Sequence, residues 1–378
     1  MTAEKMLKKL VSINSVFPNE ERLGLFVNNY LESIGFRTRI SKVQEGRLNV
    51  FAESGTREKP ILFYGHLDTV PVYGDWKSDP FKLKRVGDKL YGLGACDMKG
   101  GIAAILESVR EQSDRRIKLL FCVDEENISR GAWYAVSENK SWFDDVSLII
   151  SADPAISDKS PGGPNTITAG RRGRTVISIE IKGLSSHGAV SERGISAIDE
   201  AAKIIVNLRN FDLRKHPKLG KESLFVKEIS SSATSLSIPD KARMELDIQL
   251  VPPSTVGDAK ARVEKLLRTL SQRYVLNHKT NMTVSIKKRD TPYIEPFATD
   301  LNNPLVKKVF KIVKTNLGKP GTNYGSSVAD DNVFSNVLKT PVISIGATGG
   351  NEHTANEWVS RESLEQLTSL YKLLIERL

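Results

Sequence analysis

Cysteine is scarce in this chain of 378 residues, which contains only Cys96 and Cys122. Two cysteines cannot build a disulfide framework, and they cannot make a structural zinc site by themselves. The simplest interpretation is a pair of reduced thiols in a cytoplasmic protein.

Long apolar runs are lacking as well. No stretch reaches the roughly 18 consecutive apolar residues that a membrane-spanning helix needs. Near the N-terminus, Lys5, Lys8 and Lys9 interrupt the sequence before an apolar run could serve as a signal peptide. We therefore expect no signal peptide and no association with a membrane.

Acidic residues are outnumbered by basic ones, 45 against 55, which leaves a formal net charge of +10. Such an excess can attract nucleic acid or acidic substrates. The basic residues are scattered, however, and form no stripe interleaved with aromatic residues of the kind that single-strand binders carry. A solvated surface rich in lysine and arginine explains the charge more simply, and we expect no nucleic-acid partner.

The order of sequence patterns predicts two domains, which also suits the length of the chain. Up to residue 172, and again from residue 288, apolar strands alternate with amphipathic helices. This alternation indicates an α/β fold with a doubly wound, mostly parallel sheet. Residues 173–287 read strand, helix, strand, strand, helix, strand, which is typical of an α+β ferredoxin-like domain. We predict an α/β domain of residues 1–172 and 288–378, interrupted by this inserted domain.

Acidic residues and histidines follow the strands predicted in the α/β domain. They are His66 and Asp68 after ILFYG, Asp124, Glu125 and Glu126 after KLLFCV, Asp153 after SLIIS, His353 after VISIG and its glycine-rich loop, and Asp97 in the turn GLGACDMKGG. In open α/β sheets, ligands bind beyond the carboxyl ends of the strands. We therefore expect these side chains to meet at one edge of the sheet.

Each of these features is ordinary when taken alone, because a single strand-end histidine is usually structural and an acidic run is usually a solvated loop. Together, two imidazoles and several carboxylates suit zinc, cobalt or manganese better than calcium. There are more ligands than one tetrahedral ion needs, which indicates two ions that share a carboxylate. Glu125 then fits the role of proton carrier beside a metal-binding Glu126, and Asp68 is placed to orient His66.

Five segments, in order, resemble the motifs of a metallopeptidase and deacylase family: GHLDTVP, GDKLYGLGACDMKGG, DEE, SADP and EHTANEWV. That family contains carboxypeptidase G, aminoacylase, acetylornithine deacetylase and succinyl-diaminopimelate desuccinylase. The resemblance covers essentially the whole chain, including the inserted domain. It implies that the α/β domain is the catalytic, metal-binding domain and that the inserted domain is a lid and dimerisation domain.

By position, the resemblance implies a set of ligands for two divalent ions. The ions would be zinc, with cobalt or manganese as alternatives. The ligands would be His66, Asp97, Glu126, Asp153 and His353. Asp97 would bridge both ions, with His66 and Asp153 completing one site and Glu126 and His353 the other. Glu125 would be the general base and acid. The resemblance also implies a cis peptide bond between Asp97 and Met98.

The motif IKGLSSHGA places His187 where family members carry a histidine that reaches the active site of a partner subunit and binds the substrate carbonyl. Such a donor would stabilise an oxyanion. The alternative for His187 is a helix-capping or surface histidine. His216 and His278 match no motif, and we interpret them as surface residues.

The inserted domain departs from the family at two positions. Many members use an asparagine and an arginine to bind the α-carboxylate of the substrate, and this chain has Leu236 and Gln249 there. A neutral amide cannot replace the charged, forked guanidinium group. If the carboxylate is bound from elsewhere, the candidates are Arg171, Arg172 and Arg243.

The predicted activity is hydrolysis of the amide bond in a small N-acyl amino acid or a short peptide, by a homodimer. Within the same family, a carboxypeptidase and a hydrolase of lysine held on a carrier protein are alternatives, and an acidic carrier would suit the net charge of +10. A non-catalytic relative would have lost a ligand or the base. All five ligands and Glu125 are present.

Overall fold

The computed structural model describes residues 2–111, 115–155, 162–233 and 236–378. The chain divides into two compact units. The larger comprises Met1–Arg171 and Ala298–Leu378, and the smaller comprises Arg172–Phe297. No helix in the described ranges is both long and apolar enough to cross a membrane.

Both units contain helices as well as strands. In chain order, the helices are α1 (Ala3–Val11), α2 (Glu21–Ser33), α3 (Lys99–Ser108), α4 (Arg130–Glu138), α5 (Ala197–Asn207), α6 (Val256–Gln272), α7 (Pro304–Leu317), α8 (Asp330–Leu338) and α9 (Arg361–Arg377). The strands are β1 (Arg37–Gln44), β2 (Arg47–Ser54), β3 (Arg57–His66), β4 (Lys84–Val86), β5 (Lys89–Tyr91), β6 (Arg115–Cys122), β7 (Leu148–Ser151), β8 (Thr166–Arg171), β9 (Gly173–Lys182), β10 (Lys215–His216), β11 (Gly220–Lys221), β12 (Ser223–Ser231), β13 (Lys241–Leu250), β14 (Asn281–Ile286), β15 (Phe297–Ala298), β16 (Gly321–Gly325), β17 (Val342–Ser344), β18 (Gly349–Gly350) and β19 (Trp358–Ser360).

A mixed, mostly parallel sheet forms the centre of the larger unit, as predicted. Its strand order is β1-β2-β6-β3-β7-β17-β8, and β16 pairs with β8. Strand β3 runs parallel to both β6 and β7, and β7 runs parallel to β17. The antiparallel pairs include β1 with β2 and β2 with β6. Strands β6, β3, β7 and β17 run parallel to one another, so their carboxyl ends lie at the same edge of the sheet.

Helices cover both faces of this sheet. Successive side chains of a strand point to opposite faces, so neighbouring residues of β3 contact helices on different sides. In β3, the ring of Phe63 packs against Tyr371 of α9, with centroids 5.0 Å apart. The next residue, Tyr64, packs against Phe334 of α8 at 4.9 Å. All four rings are buried. Burial on both faces explains why residues 61–64 of β3, ILFY, form a continuous apolar run rather than an alternating one.

The smaller unit is built on an antiparallel sheet of order β12-β13-β9-β14. Its main elements follow one another as strand, helix, strand, strand, helix, strand. One face carries a hydrophobic core in which Ile179 and Met244 of the sheet pack with Ala201 of α5 and Val263 of α6. This unit runs from Arg172 to Phe297 and so extends past the end predicted at residue 287. Its role as a lid and dimerisation domain stays a prediction.

The close approach of α3 to the sheet can be tested at Gly101, where an added Cβ would lie 2.5 Å from the carbonyl oxygen of Ala152. We expect Gly101→Ala to push α3 away from the strand end, lowering the free energy of unfolding by ~1–3 kcal/mol. Urea denaturation followed by circular dichroism measures this change.

Gly257→Ala in α6 is the matched control, because the nearest atom there is Thr255 Oγ1 at 3.8 Å. Alanine is favoured over glycine within a helix by ~1 kcal/mol, so this variant should be as stable as the wild type or more stable. A Gly101→Ala protein with an unchanged denaturation midpoint would contradict the close packing of α3.

Candidate metal centre

The predicted ligands lie at the carboxyl edge of the central sheet. His66 is the last residue of β3 and is paired in register with Cys122, the last residue of β6. Tyr64 of β3 pairs with Ser151, the last residue of β7, and Ser151 pairs with Ser344, the last residue of β17. The loops that follow β6, β7 and β17 therefore begin at neighbouring positions along this edge of the sheet.

Ligand atoms of the predicted residues converge into three overlapping groups. Within each group these atoms lie no more than 4.8 Å apart, and the groups are His66 with Asp97 and Asp153, His66 with Glu125 and Glu126, and Asp97 with Glu126 and His353. The structure thus brings together all five predicted ligands and the predicted base.

Asp97 lies between the two histidines. Its Oδ1 is 3.0 Å from Nε2 of His66, and its Oδ2 is 3.5 Å from Nε2 of His353. The same His353 nitrogen is 3.0 Å from Oε2 of Glu126. Each oxygen of one carboxylate therefore faces a different imidazole, which is the arrangement that a carboxylate bridging two ions requires.

The turn that carries Asp97 is held by Glu357, a residue that the sequence analysis did not identify. The Glu357 carboxylate accepts hydrogen bonds from the backbone N–H groups of Gly94, Cys96 and Asp97 at 2.7–2.9 Å. Burial raises the pKa of Glu357 to about 8. The peptide bond between Asp97 and Met98 is cis, as the family resemblance implied. Glu357 lies within the motif EHTANEWV, but nothing in that motif distinguishes it from a surface glutamate.

The loop after β6 presents Glu125 and Glu126, and Asp68 supports it. Oδ1 of Asp68 accepts the N–H of Glu125 at 3.2 Å, and Oδ2 accepts the N–H of Glu126 at 2.9 Å. Nδ1 of His66 lies 3.0 Å from the backbone oxygen of Asp68 and 3.7 Å from Oδ1. Asp68 therefore contacts the imidazole mainly through its main chain, while its carboxylate positions the two glutamates.

A buried ion pair fixes the start of the same loop. Nη2 of Arg47 is 2.6 Å from Oε1 of Glu20 and 2.9 Å from Oδ1 of Asp124. Asp124 adopts a positive φ of 73°, which is uncommon for a residue other than glycine. The three side chains are buried, so the guanidinium offsets carboxylate charges that water cannot reach.

The buried position and the charges of the site residues shift their pKa values. Hydrogen bonds to Asp97 and Glu126 raise the pKa of His353 to about 11. Burial, together with the charge of Glu126, raises the pKa of Glu125 well above its ordinary value. Burial also raises the pKa of Asp153 to about 7, although the nearby Arg171 acts in the other direction. The carboxylates are crowded enough to disfavour one another's charge, and a bound cation would relieve this repulsion.

The three arginines considered for a substrate carboxylate are engaged elsewhere. Arg171 is buried and forms ion pairs with Asp153 and Asp331, so it is not available to a substrate. Arg172 donates to the backbone oxygen of Leu219, and Arg243 pairs with Glu245.

In the smaller unit, His187 is exposed and its Nδ1 accepts the backbone N–H of Ala189 at 3.1 Å. It is the N-cap of a short 3₁₀ helix, Gly188–Arg193. Gln249 of β13 lies opposite Arg174 of β9 in the same sheet. Of the remaining two histidines, His278 is exposed, whereas His216 is partly buried and its Nδ1 accepts the backbone N–H of Leu219.

Comparison with known proteins identifies relatives along the whole chain. The sequence model described as peptidase family M20/M25/M40 matches residues 62–377. A succinyl-diaminopimelate desuccinylase of Sulfurovum sp. (strain NBC37-1) is 28% identical over 397 residues, covering 100% of this chain and 99% of the relative. The same enzyme of a Nitratiruptor species is 26% identical over 377 residues and covers 98% of both chains.

Two solved structures share the fold. Aminopeptidase PepT from Bacillus cereus ATCC 10987 superposes with a TM-score of 0.79 at 17% identity, over 99% of this chain and 98% of that one. The YXEP protein of Bacillus subtilis, described as a dinuclear metal binding peptidase, gives a TM-score of 0.72 at 18% identity, over 100% and 98%.

The role of Glu357 leads to a test that needs no metal. Glu357→Gln replaces one accepting oxygen with an amide N–H₂ group that faces backbone donors, and a buried group left unsatisfied costs ~1–3 kcal/mol. We expect a lower thermal unfolding midpoint in chelator-treated protein, measured by differential scanning calorimetry. Glu376→Gln, at an exposed position of α9, is the control and should leave the midpoint unchanged. Equal midpoints for both variants would show that Glu357 does not hold the turn.

Proposed function

We propose that this chain, which belongs to peptidase family M20/M25/M40 and is a metal-dependent hydrolase, uses two divalent ions to cleave the amide bond of N-acyl amino acids or short peptides. The observation that carries the proposal is the position of Asp97, with one oxygen facing His66 and the other facing His353. A single ion would need only one of these two arrangements.

The donor set fits two such ions. His66, Asp97 and Asp153 would hold one ion, and Asp97, Glu126 and His353 would hold the other, with their ligand atoms already within 4.8 Å in each group. Imidazole and carboxylate donors favour zinc, with cobalt or manganese as alternatives. Burial, with the charge of neighbouring carboxylates, raises the pKa values of Glu126 and Asp153, and bound cations would stabilise the ionised carboxylates.

When bound, the two ions would supply Lewis-acid polarisation of water and of the scissile carbonyl. Glu125 would act as the base that takes a proton from the attacking water. The carbon–nitrogen bond would then break, and Glu125 would return that proton to the leaving amine. Its raised pKa suits both roles, because a carboxylate of ordinary pKa would be too weak a base near neutral pH.

For the substrate, we propose an N-acyl amino acid of the acetylornithine or succinyl-diaminopimelate type. The curated relatives carry the name succinyl-diaminopimelate desuccinylase, and their likeness extends along the whole chain. A carboxypeptidase is an alternative, and the peptidase fold relatives support it. A hydrolase of carrier-bound lysine is another alternative, favoured by the net charge of +10.

Two buried, free cysteines favour a reducing, cytoplasmic location.

We also propose that the smaller unit forms a homodimer and that His187 reaches the active site of the partner subunit. Since Nδ1 of His187 accepts a hydrogen bond, the neutral imidazole carries its proton on Nε2. That nitrogen is then a donor suited to an oxyanion.

The reaction is tested by measuring amine release from N-acetyl and N-succinyl amino acids and from dipeptides. We expect release from one substrate group, abolished by a chelator. Glu125→Gln should lower the rate by ~10²–10⁴-fold, because it removes the proton carrier, while metal content stays that of the wild type. Glu138→Gln, at an exposed position of α4, is the control. Undiminished turnover in Glu125→Gln would exclude Glu125 as the base.

The role of His187 is tested by His187→Ala, with His278→Ala as the control at another exposed histidine. We expect a rate loss of ~10²–10³-fold, as for other oxyanion donors, and an unchanged dimeric mass by light scattering. A wild-type protein that is monomeric and fully active would exclude the proposed contact with a partner.

A further inference from the structure

A guanidinium group is built into the candidate metal centre. Arg171 ends β8, and its side chain is 5% exposed. Its Nη2 donates to Oδ2 of Asp153, and its Nε donates to Oδ2 of Asp331 at 2.9 Å. Asp153 therefore differs from Asp97 and Glu126, whose side-chain hydrogen bonds come from imidazoles.

The second aspartate anchors the guanidinium to the fold. Asp331 lies in the first turn of α8, where the helix dipole favours a negative charge. Its Oδ2 also accepts the hydroxyl of Ser344, the last residue of β17, at 2.5 Å. Gly325 of β16 makes room for Arg171, because a Cβ there would lie 3.2 Å from both Cγ and Nη1. Asp331 of α8 thus bonds the guanidinium directly, Ser344 of β17 bonds Asp331 in turn, and β16 leaves space for the arginine.

This geometry fixes how the Asp153 carboxylate is oriented beside the other candidate ligands. The guanidinium takes up one acceptor position on Oδ2, and an oxygen of the same carboxylate lies within 4.8 Å of ligand atoms of His66 and Asp97. One nitrogen of the planar fork donates to Asp153 while another is held by Asp331, so the guanidinium approaches the Asp153 carboxylate from a fixed direction. A lysine would bring the same charge but could not contact both aspartates with a rigid fork.

Building on the two-ion centre proposed above, we propose that Arg171 is a positioning residue that holds the Asp153 carboxylate in the orientation of a metal ligand, through the chain Ser344–Asp331–Arg171–Asp153. Groups that hydrogen-bond to a metal ligand without contacting the metal typically contribute ~10–100-fold to metal affinity. The effect should fall on the ion beside Asp153 and spare the ion held by Glu126 and His353.

The test is a titration of chelator-treated protein with Co²⁺, following bound cobalt by equilibrium dialysis and its visible absorption. Wild-type protein should bind two ions. Arg171→Lys, which keeps the charge, should bind one ion with wild-type affinity and the other ~10–100-fold more weakly, with altered absorption for that ion alone. Asp331→Asn loosens the anchor but keeps Arg171, and it should weaken the same ion by a smaller factor. Arg377→Gln, at an exposed position of α9, is the control.

The outcomes separate this inference from the proposed function. If Arg171→Lys and Asp331→Asn bind both ions as the wild type does, even with a lower thermal midpoint, the positioning role is overturned. The positioning role is also overturned if Arg171→Gln, which removes the charge, weakens the binding of an ion while Arg171→Lys does not. A positive charge at residue 171 would then be sufficient for metal binding. A wild-type protein that binds one ion refutes the two-ion centre but keeps the positioning role if Arg171→Lys weakens that ion. A wild-type protein that binds no Co²⁺ overturns both.

Discussion

Repulsion between buried carboxylates is the constraint on which the candidate site depends. Asp97, Glu126 and Asp153 are gathered at one sheet edge, where burial removes the water that would otherwise stabilise their charge. The groups that offset this repulsion are varied: two imidazoles converge on Asp97, and a guanidinium contacts Asp153. The fold must hold these like charges together before any cation arrives, and the surrounding polar contacts serve that purpose.

The supports of the site come from parts of the chain that are far apart in sequence. Glu357 holds the turn of Asp97 from 260 residues away, and Arg47 connects Glu20 to the loop that begins at Asp124. Each support accepts or donates from a buried position, so a lost partner would leave a polar group without water or a hydrogen bond. Such contacts preorganise the candidate ligands, because the rigid strand ends and their buried partners leave the side chains few alternative positions.

The sequence predicts the parallel strands and the clustering of the candidate ligands at one sheet edge, because each signal is local. Apolar runs identify β3, β6 and β7, and the first polar residue after each run lies at the carboxyl edge. The supporting residues could not be predicted this way, since Glu357 and Arg171 resemble surface residues until their partners are known. The strands β8 and β16 and helix α8 were also missed, because they are short and contain many polar residues. Conversely, Arg171 was considered for substrate binding, and its burial between two aspartates removes it from that role.

The position of β17 has a consequence for the order in which the protein can be made. This strand lies between β7 and β8 in the sheet, yet it follows both in the chain, after the whole of the smaller unit. On the ribosome, a nascent chain that ends before residue 342 has a gap in the middle of its sheet and also lacks His353. Closure of that gap brings together distant parts of the chain, which is the entropically costly kind of contact. The larger unit can therefore be completed only after translation of the smaller one, and the metal centre is among the last parts to form.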